Sequence, residues 1–291
     1  MKVLVTGAGG QVGQALLATA PKDVQLIACS RDALDIGDER AVFERLQEAA
    51  PRVVINAAAY TAVDRAESEP DIARNINSHG PRFLAGAARE VGARLIHLST
   101  DFVFDGNSCA PYRPDAPTNP LSVYGKTKRA GEEAVLEISR GEAVVVRTAW
   151  VYAAQGRNFL NTMLRLMKQN GAVRVVCDQV GTPTSAKSLS RVLWKLIASP
   201  QVVGIHHWTD AGVASWYDFA VAIAEEAAAL GLLPPTVEVQ PIVTAQYPTP
   251  ARRPHYSVLA GSLASLAGQP VHWRVPLREV LREIGDARET V

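Results

Sequence analysis

Lys2-Val3-Leu4-Val5-Thr6-Gly7-Ala8-Gly9-Gly10-Gln11-Val12-Gly13 joins a short apolar run to a cluster of glycines, and Ala15, Leu16 and Leu17 then begin a helical stripe. The order is strand, glycine turn, helix. Glycines permit the tight turn and let the backbone approach a pyrophosphate, which sits at the positive end of the helix dipole. A Gly-x-Gly-x-x-Gly motif beginning at Gly7 fails at Val12, so the spacing is instead Gly-x-x-Gly-x-x-Gly through Gly7, Gly10 and Gly13. Directly after an N-terminal strand, this turn predicts a dinucleotide site contacted by Gly7, Gly10, Gln11, Val12 and Gly13.

The stretches that follow extend the same pattern. Val24 to Ala28 reads as a second strand, with Ser30 and Arg31 just beyond it. An acid at that strand end would bind the adenosine ribose hydroxyls of NAD, and none is present. Ser30 and Arg31 can instead receive a 2′-phosphate, so the cofactor is NADPH or NADH with NADPH favoured, and Asp35-Ile36 is placed to flank the adenine. A helix is expected around 39–49. Val53-Val54-Ile55-Asn56 then leads into Ala57-Ala58-Ala59-Tyr60, where three alanines leave an uncluttered surface for a flat cofactor and the asparagine stands at the strand end where ligands of parallel sheets sit. A helix over roughly 70–91 precedes Leu95-Ile96-His97-Leu98, a strand ending in Ser99-Thr100-Asp101.

Strands alternating with helix-length crossovers predict an α/β fold, a Rossmann-type doubly wound parallel sheet. Residues 1–150 are expected to form the dinucleotide-binding domain. Residues 151–291 are expected to form mainly a smaller mixed substrate domain, with some segments able to return to the first.

Leu121 to Lys128 opens a further helix in which Tyr124 and Lys128 stand four residues apart. That spacing stacks them on one face. A phenol titrates near pH ~10, and a cation one turn away favours the phenolate by roughly 1–3 pKa units. Such a pair suits proton transfer at neutral pH, although the spacing alone also occurs on ordinary solvated helices.

With 30 basic and 29 acidic residues and 47 % hydrophobic content, the chain has neither the basic excess of a nucleic-acid binder nor the acidic excess of a disordered tail. No run approaches the ~18 apolar residues of a membrane span, and the N-terminus reaches its glycine turn too early for a signal peptide. Cys29, Cys109 and Cys177 are widely separated, which fits reduced thiols and a cytoplasmic setting. The histidines lack metal-ligand spacing, and no metal site is expected.

Taken together, Thr6 to Gly13, Ser99-Thr100-Asp101-Phe102-Val103-Phe104-Asp105-Gly106 and Tyr124-Gly125-Lys126-Thr127-Lys128 resemble the extended short-chain dehydrogenase/reductases. The resemblance is to the branch that reduces the C4 ketone of deoxysugar nucleotides. It covers nearly the whole chain and extends to Asn56–Glu67, Arg147–Tyr152, Asn158-Phe159, Asp178–Thr184 and Tyr247–Pro254. It implies NAD(P)H-dependent reduction of dTDP-6-deoxy-L-lyxo-4-hexulose. Tyr124 would protonate the keto oxygen, Thr100 would hydrogen-bond the same oxygen, and Lys128 would hold the nicotinamide ribose and lower the tyrosine pKa. Asp101 and Trp150 would contact the sugar, and Arg253 or Arg252 the diphosphate. Some members carry glutamates that bind magnesium between two subunits. Ala15 and Lys187 occupy those places here, which implies a monomer or a homodimer without a bridging metal.

Three other readings share these motifs. A 4,6-dehydratase would need a second acid after Thr100-Asp101, where Phe102 stands. A 4-epimerase, or a non-catalytic regulator resembling the regulatory subunit of methionine adenosyltransferase, is separated from a reductase by bound nucleotide, partner capture or turnover.

Overall fold

The structure is a computed structural model that describes residues 1–289. Five strands, β1 (Lys2–Thr6), β2 (Gln25–Cys29), β3 (Val53–Asn56), β4 (Arg94–Thr100) and β5 (Val144–Thr148), join the later strand Gly204–His207 in one sheet. Its order is Gly204–His207, β5, β4, β3, β1, β2, and every neighbouring pair is parallel. Continuous apolar runs form the inner strands β1, β3, β4 and β5 because both faces are covered, whereas the edge strands β2 and Gly204–His207 are only partly buried.

Alternate residues supply the two cores. Val3, Val5, Ile55 and Val146 pack with Leu16, Leu189 and Leu193 on one face. Leu4, Val54, Leu95 and Val145 pack with Leu46, Leu84 and Val135 on the other. The chain leaves β1 toward β2 and leaves β3 toward β4, so a crevice opens at the carboxyl ends between β1 and β3. Register aligns the reactive ends there: Thr6 lies opposite Asn56, and Thr100 opposite Thr148.

The helix expected over 70–91 is interrupted. Helical segments Pro70–Arg74 and Gly80–Glu90 flank a π-helical turn, Asn75–His79. Apolar periodicity cannot reveal the one extra residue of such a bulge, which often marks a functional position.

In the second half, helices Phe159–Asn170, Trp216–Ala229 and Arg274–Glu289 surround Leu160, Met167, Phe219, Trp273 and Leu277. Strands Ala172–Val176 and Glu238–Ile242 pair in parallel beside them. Between these segments, helix Ala186–Ile197 and strand Gly204–His207 return to the large sheet. No described helix is long and apolar enough to cross a membrane.

Candidate active site

A cleft of about 1140 Å³ lies over the carboxyl ends of β1, β3 and β4. Its floor begins at the glycine turn. Gly7 has φ +68°, and a Cβ there would lie 2.6 Å from Ala58 N. Only glycine allows β1 and the Ala57–Ala59 segment to approach so closely. Gly10 precedes the helix Gln11–Ala18 without a side-chain cap, and a Cβ on Gly9 would meet open space. The turn thus offers bare backbone and an uncapped helix start, a donor set suited to a pyrophosphate.

Gly7, Gly10, Gln11, Val12, Arg31, Asp35, Ile36, Ala57, Ala58, Ala59 and Tyr60 all line this cleft. Gly13 and Ser30 do not. Gly13 is buried under the turn, where a Cβ would fall 2.2 Å from Gly7 O, so its role is packing. Asn56, at the carboxyl end of β3, is fully buried. It accepts from Thr6 Oγ1 at 2.7 Å and Ala58 N at 3.1 Å, fixing the alanine segment from below. Asn77 on the π turn holds the next residue, accepting from Tyr60 N at 2.8 Å and donating to Tyr60 O at 3.1 Å.

Ser122 caps the helix Val123–Ile138 by accepting from Gly125 N at 3.1 Å. Gly125 lets this helix press onto the turn after β4, since a Cβ there would stand 2.2 Å from Phe102 O. That contact brings Tyr124 to Thr100, and the Tyr124 ring packs edge-on against Phe102 at 5.6 Å. Lys128 is 2 % exposed and donates to Leu98 O at 2.6 Å. Two of its three N–H donors remain for a ribose.

The expected depression of the tyrosine pKa is reversed. Burial pushes the Tyr124 phenol up to about 12; the neighbouring Thr100 hydroxyl pulls it partly back and the Asp101 charge pushes it further up. Burial also lowers Lys128 to about 8, against the opposing pull of Glu132. Desolvation therefore outweighs the helical pairing. The phenol keeps its proton at neutral pH, as a proton donor must.

Glu132 supports the site from one turn further along the helix. It is fully buried and accepts from Arg147 Nε at 2.8 Å and Nη2 at 2.7 Å, and from Ser99 Oγ.

The substrate-side residues Thr100, Asp101, Trp150 and Arg253 also face the cleft, whereas Arg252 is exposed elsewhere. Arg253 already has a partner. Its two terminal nitrogens reach Asp64 at 3.0 and 2.8 Å, and this guanidinium holds the Asp64 carboxyl below its ordinary range. A diphosphate must share or displace that pairing. Trp150 has φ +48° and stacks on Trp216, with ring centroids 3.5 Å apart and planes within 3°. Trp216 covers one face of the indole, so the two rings form a joint apolar wall rather than a single exposed indole.

Sequence reasoning assigned no role to Asn77, Asp64 or Trp216. Asn158 was also without one; it donates to Gln11 Oε1 at 2.8 Å and ties the loop after β5 to the glycine turn. Asp64 and Asn158 lie within quoted motifs, but nothing local distinguishes Trp216 from core aromatics. Lys187 forms an ion pair with Glu283. Among the described residues no group of three or more His, Cys, Asp or Glu is arranged to hold a metal ion.

Comparison with known proteins gives a match to the RmlD substrate binding domain family over residues 1–285. The spore coat polysaccharide biosynthesis protein SpsK of Bacillus subtilis is 41 % identical over 288 residues, 98 % of this chain and 99 % of that one. A dTDP-4-dehydrorhamnose reductase of Streptomyces griseus is 45 % identical over 283 residues, 95 % of this chain and 91 % of that one. The crystal structure of dTDP-4-dehydrorhamnose reductase from Bacillus anthracis in complex with NADP is 35 % identical and superposes with a TM-score of 0.91, covering 97 % of this chain and 99 % of that one.

Proposed function

The chain belongs to the RmlD substrate binding domain family, and from that membership we propose that it reduces the C4 ketone of dTDP-4-dehydro-L-rhamnose to give dTDP-L-rhamnose. The observation that carries the reading is the convergence of Thr100, Tyr124 and Lys128 on one cleft beside an open glycine turn. NADPH or NADH, when bound, supplies the hydride.

Gly7, Gly10, Gln11 and Val12 would hold the pyrophosphate, and Arg31, Asp35 and Ile36 the adenosine end. Ala57 to Tyr60 would form the flat floor, and the free N–H groups of Lys128 would grip the ribose. Tyr124 gives its proton to the keto oxygen as that oxygen gains negative charge, and Thr100 provides a second hydrogen bond to it. The Trp150–Trp216 wall packs on the deoxysugar, and Arg253 turns from Asp64 toward the diphosphate. Residues 1–150 thus serve mainly the cofactor and 151–291 mainly the sugar nucleotide. The Lys187–Glu283 pair supports a monomer or a homodimer without a bridging metal.

Mixing purified protein with dTDP-4-dehydro-L-rhamnose and NADPH or NADH is expected to bleach the reduced-nicotinamide absorbance. No oxidation with either cofactor defeats the reading. Arg31→Ala is expected to raise KM for NADPH by ~10–100-fold, the worth of one charge-assisted hydrogen bond, and to leave KM for NADH nearly unchanged. Equal effects on both cofactors would remove Arg31 from 2′-phosphate recognition.

A further inference from the structure

Thr100 has one hydroxyl proton and two acceptor lone pairs. Its proton is committed: Thr100 Oγ1 donates to Asp101 Oδ1 at 3.0 Å. One lone pair is also used, accepting from Phe102 N at 3.2 Å. A threonine in this state cannot donate to a substrate oxygen. The proposed second hydrogen bond to the ketone therefore requires Asp101 to release the threonine proton.

The surroundings of Asp101 provide a way to do so. The residue is 2 % exposed, and its Oδ2 is buried without a hydrogen-bond partner. It forms no ion pair among the described residues. Thr100 and the Phe102 amide approach it from its own segment, the Ser257 hydroxyl from the C-terminal part, and the Tyr124 phenol from the helix Val123–Ile138. Of these four neighbours only Tyr124 titrates, and it stays neutral. An unpartnered, buried carboxylate oxygen favours the protonated form.

We propose that Asp101 is a positioning residue acting through Thr100: protonated, it donates to Thr100 Oγ1 and turns the threonine proton toward the keto oxygen, and ionised, it holds that proton away. Resting on the reductase reading above, this turns a residue expected only to touch the sugar into the switch that orients a catalytic hydroxyl. Asp101 exchanges no proton with substrate; the proton transferred remains that of Tyr124. Burial raises the Asp101 carboxyl to about 6, offset in part by Ser257 and Thr100, so the change of state falls in the working pH range. Below that value Thr100 is free to donate, and as pH rises through it the donation is lost.

The test is the pH dependence of kcat at saturating NADPH and dTDP-4-dehydro-L-rhamnose for the wild type, Asp101→Asn, Thr100→Val and the double variant. Wild-type kcat is expected to fall up to ~10-fold, the worth of one hydrogen bond of ordinary strength, with most of the fall as pH rises through the Asp101 value of about 6 and before Lys128, at about 8, titrates. Asp101→Asn presents an N–H donor to Thr100 at every pH, so the descending limb near pH 6 should vanish from its profile, whatever the height of its plateau. Thr100→Val should be slow throughout and lack the limb. Adding Asp101→Asn to Thr100→Val should change nothing further.

A limb centred near pH 6 that persists in Asp101→Asn, or an equal effect of that substitution with and without Thr100, overturns the proposal while leaving the reductase reading intact. Wild-type protein inactive at every pH overturns the reductase reading and the proposal with it. Should Asp101→Asn fail to fold, the wild-type and Thr100→Val profiles still decide, because a limb surviving without the threonine hydroxyl refutes the coupling.

Discussion

Tyr124→Phe is expected to lower kcat by ~10²–10⁴-fold, the usual worth of a positioned acid, with NADPH binding almost unchanged. The substitution removes only the phenolic oxygen. It retains the ring that packs edge-on against Phe102 at 5.6 Å and leaves Lys128 bonded to Leu98 O at 2.6 Å. Nucleotide titration followed by fluorescence separates binding from turnover. Turnover within about threefold of wild type, far short of that factor, would remove Tyr124 from the proton-transfer step. Because burial pushes this phenol up to about 12, its ionisation contributes no limb to the rate profile between pH 5 and 8. A limb in that range belongs to Asp101, raised to about 6, or at its upper end to Lys128, lowered to about 8, so the window from pH 5 to 7 reports Asp101.

Glu132→Ala is expected to destabilise the protein by ~3–5 kcal/mol, the characteristic loss when one partner of a buried ion pair is removed. Glu132 and Arg147 are 0 % and 1 % exposed, so the orphaned guanidinium has no route to water. Its nearest remaining partners are Pro114 O at 3.3 Å and the His207 ring at 3.5 Å. The His207 imidazole is driven down to about 3 by burial and the adjacent Arg147 charge, so it stays neutral and offers the guanidinium no negative charge. Urea unfolding at neutral pH measures the loss. A change below about 1 kcal/mol would mean that the pair contributes no more than an exposed one. The double variant Glu132→Leu with Arg147→Met should recover much of the loss, because an apolar pair of similar volume avoids the desolvation cost.

Most of the sheet was legible because parallel strands with both faces buried must be apolar and short, and β1, β3, β4 and β5 each fall on such a run. The glycine turn was legible for a related reason: close backbone approach excludes side chains, which leaves glycine as a visible mark. The π turn at Asn75–His79 was not, since one inserted residue scarcely alters an apolar stripe. Nor was the return of Ala186–Ile197 and Gly204–His207 to the large sheet something their local pattern could dictate. A strand's sequence records that it is buried, and does not record which neighbour buries it.

The site divides along the same line. Tyr124 and Lys128 share a helix face by local geometry, and the chain order of strand, turn and helix places Thr100 and the glycine turn at one edge of the sheet. Those facts the sequence determined by itself. Tertiary structure alone decided that burial holds the Tyr124 phenol protonated, that Asp101 engages the only proton of Thr100, and that Arg253 is paired with Asp64 from 189 residues away. Backbone periodicity is set over a few residues, whereas the state of a proton or a guanidinium depends on solvent exclusion and on partners brought together only when the chain closes.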